Sequence, residues 1–130
     1  MNKKGDVVMK RMICLLIMVI VFGSLFLIEK SYGFCVYNHT DRKMAVIQKR
    51  GGRPLKSFRA YIEPGKHACC NWKNKDCNTG GKRDSIVEFE VFYESNFVDK
   101  SVCFNFPIKA GGWLEIVGKN KSYRCIRHDY

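Results

Sequence analysis

Three histidines, His39, His67 and His128, are the groups of this 130-residue chain best suited to moving protons near neutral pH. Small basic ribonucleases use histidine and glutamate for acid–base transfer, with a cation at the phosphate. Here His39 falls inside the triplet Asn38-His39-Thr40, and His128 lies close to the end of the sequence. Glu88, Glu90 and Glu94 share one face of a predicted strand and could supply paired carboxylates for glycoside hydrolysis. A solvated strand face paired with lysines across the sheet explains them more simply. No serine or cysteine nucleophile motif is present, no cofactor is implied, and the residues lean against catalysis.

The cysteines carry a different chemistry. The chain has seven, and Cys14 lies in an apolar run that reads as a secretory signal. Lys3, Lys4, Lys10 and Arg11 form its positive start, residues 12–28 are almost wholly apolar, and Ser31 and Gly33 fit the small-residue positions of a signal-peptidase site. Cleavage is therefore placed after Gly33. The rival, an uncleaved anchor helix, is disfavoured because the run falls short of the ~20 residues that span a bilayer and Glu29 and Lys30 end it. Removing 33 of the 130 residues leaves one domain of 97, and takes the net charge from +11 to +8 by deleting five basic and two acidic groups.

That domain, residues 34–130, keeps an even set of cysteines: Cys35, Cys69, Cys70, Cys77, Cys103 and Cys125. In an exported chain this predicts a disulfide framework and an extracellular location. A disulfide needs Cα atoms ~4.4–6.8 Å apart with converging Cβ vectors, so the adjacent Cys69 and Cys70 should not bond to each other. On a strand they point to opposite faces, and one can staple the interior while the other closes a local loop. The pairing expected is Cys70 to Cys77, Cys69 to Cys103 and Cys35 to Cys125, among the several that such a set allows.

The densest local signal runs from His67 through Cys69, Cys70, Asn71, Trp72, Lys73, Lys75 and Asp76 to Cys77 and Asn78. A zinc reading of His67 with the cysteines lacks paired CxxC spacing, and oxidised cysteines offer no thiolate. A calcium reading of Asp76, Asn78, Gly81 and Asp84 puts Val87 where a bidentate glutamate belongs. No metal is expected. Trp72 beside Lys73 and Lys75, followed by Lys82 and Arg83, instead suits an anionic interface: the indole enters a headgroup layer or stacks on a sugar while the cations meet phosphate or carboxylate. The competing reading packs Trp72 over the local disulfide.

The elements that must position these groups are strands. Val87, Phe89, Val91 and Tyr93 alternate with glutamates, Phe58, Ala60 and Ile62 with Arg59, Tyr61 and Glu63, and Val102, Phe104 and Phe106 with Cys103 and Asn105. Residues 44–48 and 113–117 are apolar on both faces, as central strands are. Gly51-Gly52, Pro64-Gly65, Asn78-Thr79-Gly80-Gly81 and Gly111-Gly112 mark turns. No segment of 34–130 carries a helical apolar period. The fold expected is all-β, an antiparallel sandwich or barrel of about seven or eight strands, stapled by disulfides and preceded by a signal helix.

Two triplets, Asn38-His39-Thr40 and Asn120-Lys121-Ser122, are glycosylation acceptors in an exported protein and mark exposed positions. The opening Phe34-Cys35-Val36-Tyr37-Asn38-His39-Thr40, the Pro64-Gly65 turn, Cys69-Cys70-Asn71-Trp72 and Asp76-Cys77-Asn78 together resemble small secreted cysteine-rich proteins of fungi. The strand and turn style is also similar to that of thaumatin-like proteins and aegerolysins. Thaumatin-like proteins carry more cysteines and an acidic cleft, aegerolysins fewer disulfides, and no functional residue carries over from either. The resemblance implies a secreted β-sandwich. The function expected is binding: Trp72, Lys73, Lys75, Lys82 and Arg83 engaging lipid headgroups or an acidic polysaccharide. Specific nucleic-acid recognition is not expected. A small hydrolase such as a ribonuclease or glycosidase, and an effector recognising a host protein, are the alternatives.

Overall fold

The computed structural model describes residues 33–95 and 98–130, together with Met9 and Ile13. Apart from Met9, Ile13 and Gly33, the expected signal segment lies outside the described residues. Tyr32–Tyr130 forms one compact unit. Its eight strands are β1 (Phe34–Thr40), β2 (Met44–Arg50), β3 (Arg59–Ile62), β4 (His67–Cys70), β5 (Ile86–Ser95), β6 (Val98–Lys109), β7 (Trp113–Lys119) and β8 (Ser122–His128).

They form two four-stranded sheets, sheet A in the order β4-β1-β7-β8 and sheet B in the order β3-β2-β5-β6. The doubly apolar runs at 44–48 and 113–117 lie on inner strands, as their sequence requires. One core joins the sheets: Phe34, Val36, Leu114 and Ile116 from sheet A meet Met44, Val46, Val87, Phe89, Val91 and Ile108 from sheet B, all at most 1% exposed. Phe34 stands edge-on to Phe58 and Phe89, with ring centroids 5.2 and 5.0 Å away.

Three expectations are corrected. First, the sheets are not wholly antiparallel. β1 runs parallel to β7, from Cys35 opposite Trp113 to Thr40 opposite Gly118. A parallel pair needs a long crossover, which β2 to β6 supply. Secondly, the alternation of Val102, Phe104 and Phe106 breaks. Phe106 lies opposite Phe89 and Cys103 opposite Val91, so Phe104 and Asn105 together face Glu90. This bulge, with Asn105 at φ 46°, leaves Phe104 66% exposed. Thirdly, the glutamate face of β5 is not uniformly solvated: Glu90 is buried, with Lys49 Nζ 3.4 Å away.

The disulfides are Cys35–Cys69, Cys70–Cys77 and Cys103–Cys125. The local closure is as expected, whereas Cys69–Cys103 and Cys35–Cys125 are replaced. Strand register decides this, because antiparallel pairing sets Cys35 directly opposite Cys69, Cα atoms 4.0 Å apart. Cys70 points the other way, packs against the core and reaches Cys77. Cys103 on β6 then meets Cys125 on β8, joining sheet B to sheet A. Three bonds of this kind suit an oxidising, extracellular-type environment.

Candidate functional site

The residues expected to form a binding loop divide between two places. The β4–β5 loop is organised by Asn78, whose buried amide donates to the Trp72 carbonyl at 2.7 Å and the Lys82 carbonyl at 2.9 Å. Trp72 is consequently drawn inward. Its ring packs, half-buried, against the core, with Lys73 Nζ 5.4 Å from its centroid. Of the two readings open to Trp72, this partial packing agrees with the one that sets the ring beside the local disulfide. Lys73, Lys75 and Lys82 remain exposed. Arg83 leaves them: its guanidinium stacks on the Tyr130 ring at 3.9 Å.

A second loop, between β2 and β3, stands beside the first. Arg53 N–H donates to the Asp76 carbonyl at 2.7 Å, Thr79 N–H to the Gly51 carbonyl at 2.8 Å, and the Gln48 amide to the Cys77 carbonyl at 2.7 Å. Arg53, Pro54, Leu55 and Lys56 make a turn at its tip, closed by Lys56 N–H on the Arg53 carbonyl. Leu55 takes φ 63°, a conformation that normally calls for glycine or asparagine, and is 95% exposed. Leucine there gains nothing from burial and bears the cost of a left-handed backbone. Arg50, Arg53 and Lys56 surround it on the chain.

The other concentration of chemistry was not legible in sequence. Side chains on the outward face of sheet A form an open groove of about 540 Å³, lined by Tyr37 and His39 of β1, Trp113 and Glu115 of β7, His128 of β8, and Arg83. Glu115 accepts from two imidazoles at once, His39 Nδ1 on Oε1 at 2.8 Å and His128 Nε2 on Oε2 at 2.7 Å. Hydrogen bonds from His39 first, then from His128, hold the Glu115 carboxyl below its ordinary range, against the opposing effect of burial. The His128 ring lies flat on Trp113 at 4.7 Å, and Tyr37 stacks on His67 at 5.1 Å. At the rim the Tyr130 hydroxyl donates to Asp84.

A carboxyl whose pKa is lower folded than unfolded stabilises the fold above the unfolded value and loses that contribution as pH falls through the folded one. Glu115→Gln should therefore be less stable than wild type near neutral pH, and the two stabilities should converge below about pH 4.5, the ordinary value. Urea titrations at stepped pH check this; a constant gap down to acid pH would remove Glu115 from the acid response.

Of the glycosylation candidates, Asn120 is exposed in the two-residue turn of the β7–β8 hairpin, where Asn120 and Lys121 both have positive φ. Asn38, expected to be exposed, is fully buried, its amide donating to the Arg42 and Ile62 carbonyls at 2.7 Å each. Each of the six cysteines of the described domain is in a disulfide, leaving no thiolate there for a metal.

Fold and surface define a class: a disulfide-stapled domain of two β-sheets with a basic end and a histidine-rich groove on one face. No protein family, curated protein or solved structure matches the chain.

Proposed function

We propose that this is a secreted basic binding protein that docks on anionic phospholipid through the end formed by the β2–β3 and β4–β5 loops. The observation that carries the reading is Leu55, 95% exposed at positive φ on a loop clipped to the lysine-bearing one. An apolar tip that enters the headgroup layer, ringed by cations that meet phosphate, suits an anionic interface. The net charge of +8 left after the expected cleavage supports it. Arg50, Arg53, Lys56, Lys73, Lys75 and Lys82 supply the cations, and Leu55 takes the inserting role that the sequence suggests for Trp72.

Sedimentation with vesicles of neutral phospholipid, with and without phosphatidylserine, tests it. Capture should need the anionic lipid and weaken as salt rises. Lys73→Glu with Lys75→Glu should lower the partition constant by tenfold or more, at about 1 kcal/mol for each basic residue lost near the surface. Leu55→Ser should weaken capture at unchanged salt slope. Trp72→Ala should cost about 2 kcal/mol of stability through lost packing while the folded protein still binds. Capture indifferent to Leu55 and the lysines, or retention only on acidic polysaccharide, would overturn the assignment.

A further inference from the structure

We propose that the groove on the outer face of sheet A is a metal-independent ribonuclease site in which His39 and His128 exchange protons with an RNA phosphodiester. The inference is independent of membrane docking and uses other residues. It reverses the leaning of the sequence, which sets the histidines far apart.

The groove brings together the groups that transesterification of a phosphodiester uses. Glu115 is an acceptor only, so the N–H of each imidazole bonded to it points at the carboxylate: Nδ1–H of His39 and Nε2–H of His128. The opposite nitrogens, His39 Nε2 and His128 Nδ1, form no hydrogen bond among the described residues. An imidazole anchored on one side can take or give a proton on the other, and near neutral pH histidine is available in both forms. Glu115 positions both rings and stabilises whichever carries charge. Arg83 lines the same groove and, among the described residues, makes no ion pair, so its donors are open to the non-bridging phosphate oxygens. Tyr37 and Trp113, each with one face already on an imidazole, add aromatic surface to the groove against which a base can lie without sequence preference.

The step balances without a metal or redox partner. The neutral imidazole takes the proton of the ribose 2′-hydroxyl as that oxygen bonds to phosphorus. The bond from phosphorus to the 5′-oxygen breaks, and the charged imidazole gives its proton to the leaving oxygen. The products are a 2′,3′-cyclic phosphate and a 5′-hydroxyl, and the two histidines have exchanged protonation states. Water attacking the cyclic ester by the reverse proton path restores them and leaves a 3′-phosphate.

The disulfide-intact protein is incubated with a fluorescent oligouridylate in EDTA, and with the deoxy oligonucleotide of the same length. Expected are cyclic-phosphate ends on RNA, intact DNA for want of a 2′-hydroxyl, and a bell-shaped pH profile. His39→Asn and His128→Asn should each lower the rate a hundredfold or more. Glu115→Gln, as the change of a positioning residue, should displace the limbs of the profile. Should a histidine variant fail to fold, wild-type NMR decides: uridine 3′-phosphate should shift the ring C–H signals of His39 and His128. Absence of RNA cleavage, equal cleavage by folded histidine variants, loss of activity in EDTA, or unshifted histidine signals would each overturn the proposal. Failure here leaves the vesicle result untouched, and the reverse holds.

Discussion

Replacing Cys103 and Cys125 together by serine is expected to lower stability by about 3 kcal/mol, the loop-entropy value for a closure of this length. The bond spans 22 residues and is the one that joins β6 of sheet B to β8 of sheet A. Both cysteines pack against the core, so the serines also put two hydroxyls into a partly buried seam. For a domain this small the loss is a large share of a total near 5–15 kcal/mol. Cys70→Ser with Cys77→Ser should cost less, about 2 kcal/mol, because that loop spans only 7 residues. Urea unfolding of both variants, with the remaining bridges verified by mass, makes the comparison. A larger loss for the local loop than for the inter-sheet bond would mean that sheet packing does not depend on the bridge.

Asn38→Ala should cost about 3 kcal/mol, since it strips partners from several buried groups at once. The side chain is fully buried on the inward face of β1. Its amide donates to the Arg42 and Ile62 carbonyls, and its oxygen accepts from Thr40 N–H at 3.1 Å and the Thr40 hydroxyl at 2.6 Å. Asn38 thus ties β1 of sheet A to the β1–β2 turn and to β3 of sheet B. Asn38→Asp should be destabilising too, because a carboxylate cannot donate and would face two carbonyl oxygens. A thermal melt within a degree or two of wild type for either variant would contradict this account. The same packing leaves no room for a glycan. Peptide mapping of material from a glycosylating host should find any glycan on Asn120 and none on Asn38.

The strands were legible because a half-buried strand must alternate, and Val87, Phe89, Val91 and Tyr93 do so without interruption. The inner positions of β2 and β7 were legible for the related reason that both of their faces are apolar. Where an extra residue enters β6 opposite Glu90, parity reverses, and Phe104 turns outward despite its composition. Nothing local marks that insertion. The exposed turn at Leu55 was half-legible: Gly51-Gly52 and Pro54 announced a loop, but not that leucine would occupy its positive-φ position.

The residues of the sheet A groove show the same division. Tyr37 and His39 share strand parity, as do Trp113 and Glu115, so each pair could be assigned to one face from spacing alone. That these faces are the same face follows from the parallel β1–β7 register and the antiparallel β7–β8 register, contacts between segments far apart in the chain. Sequence by itself determined the β class and the basic charge and pointed to the closure of Cys70 on Cys77, because each depends on composition or on neighbours along the chain. Only the tertiary structure decided which strands pair, hence which distant cysteines bond, why Asn38 is buried, and how Glu115 comes to lie between His39 and His128. Register between distant strands is set by the sum of core packing, and no single stretch of sequence contains it.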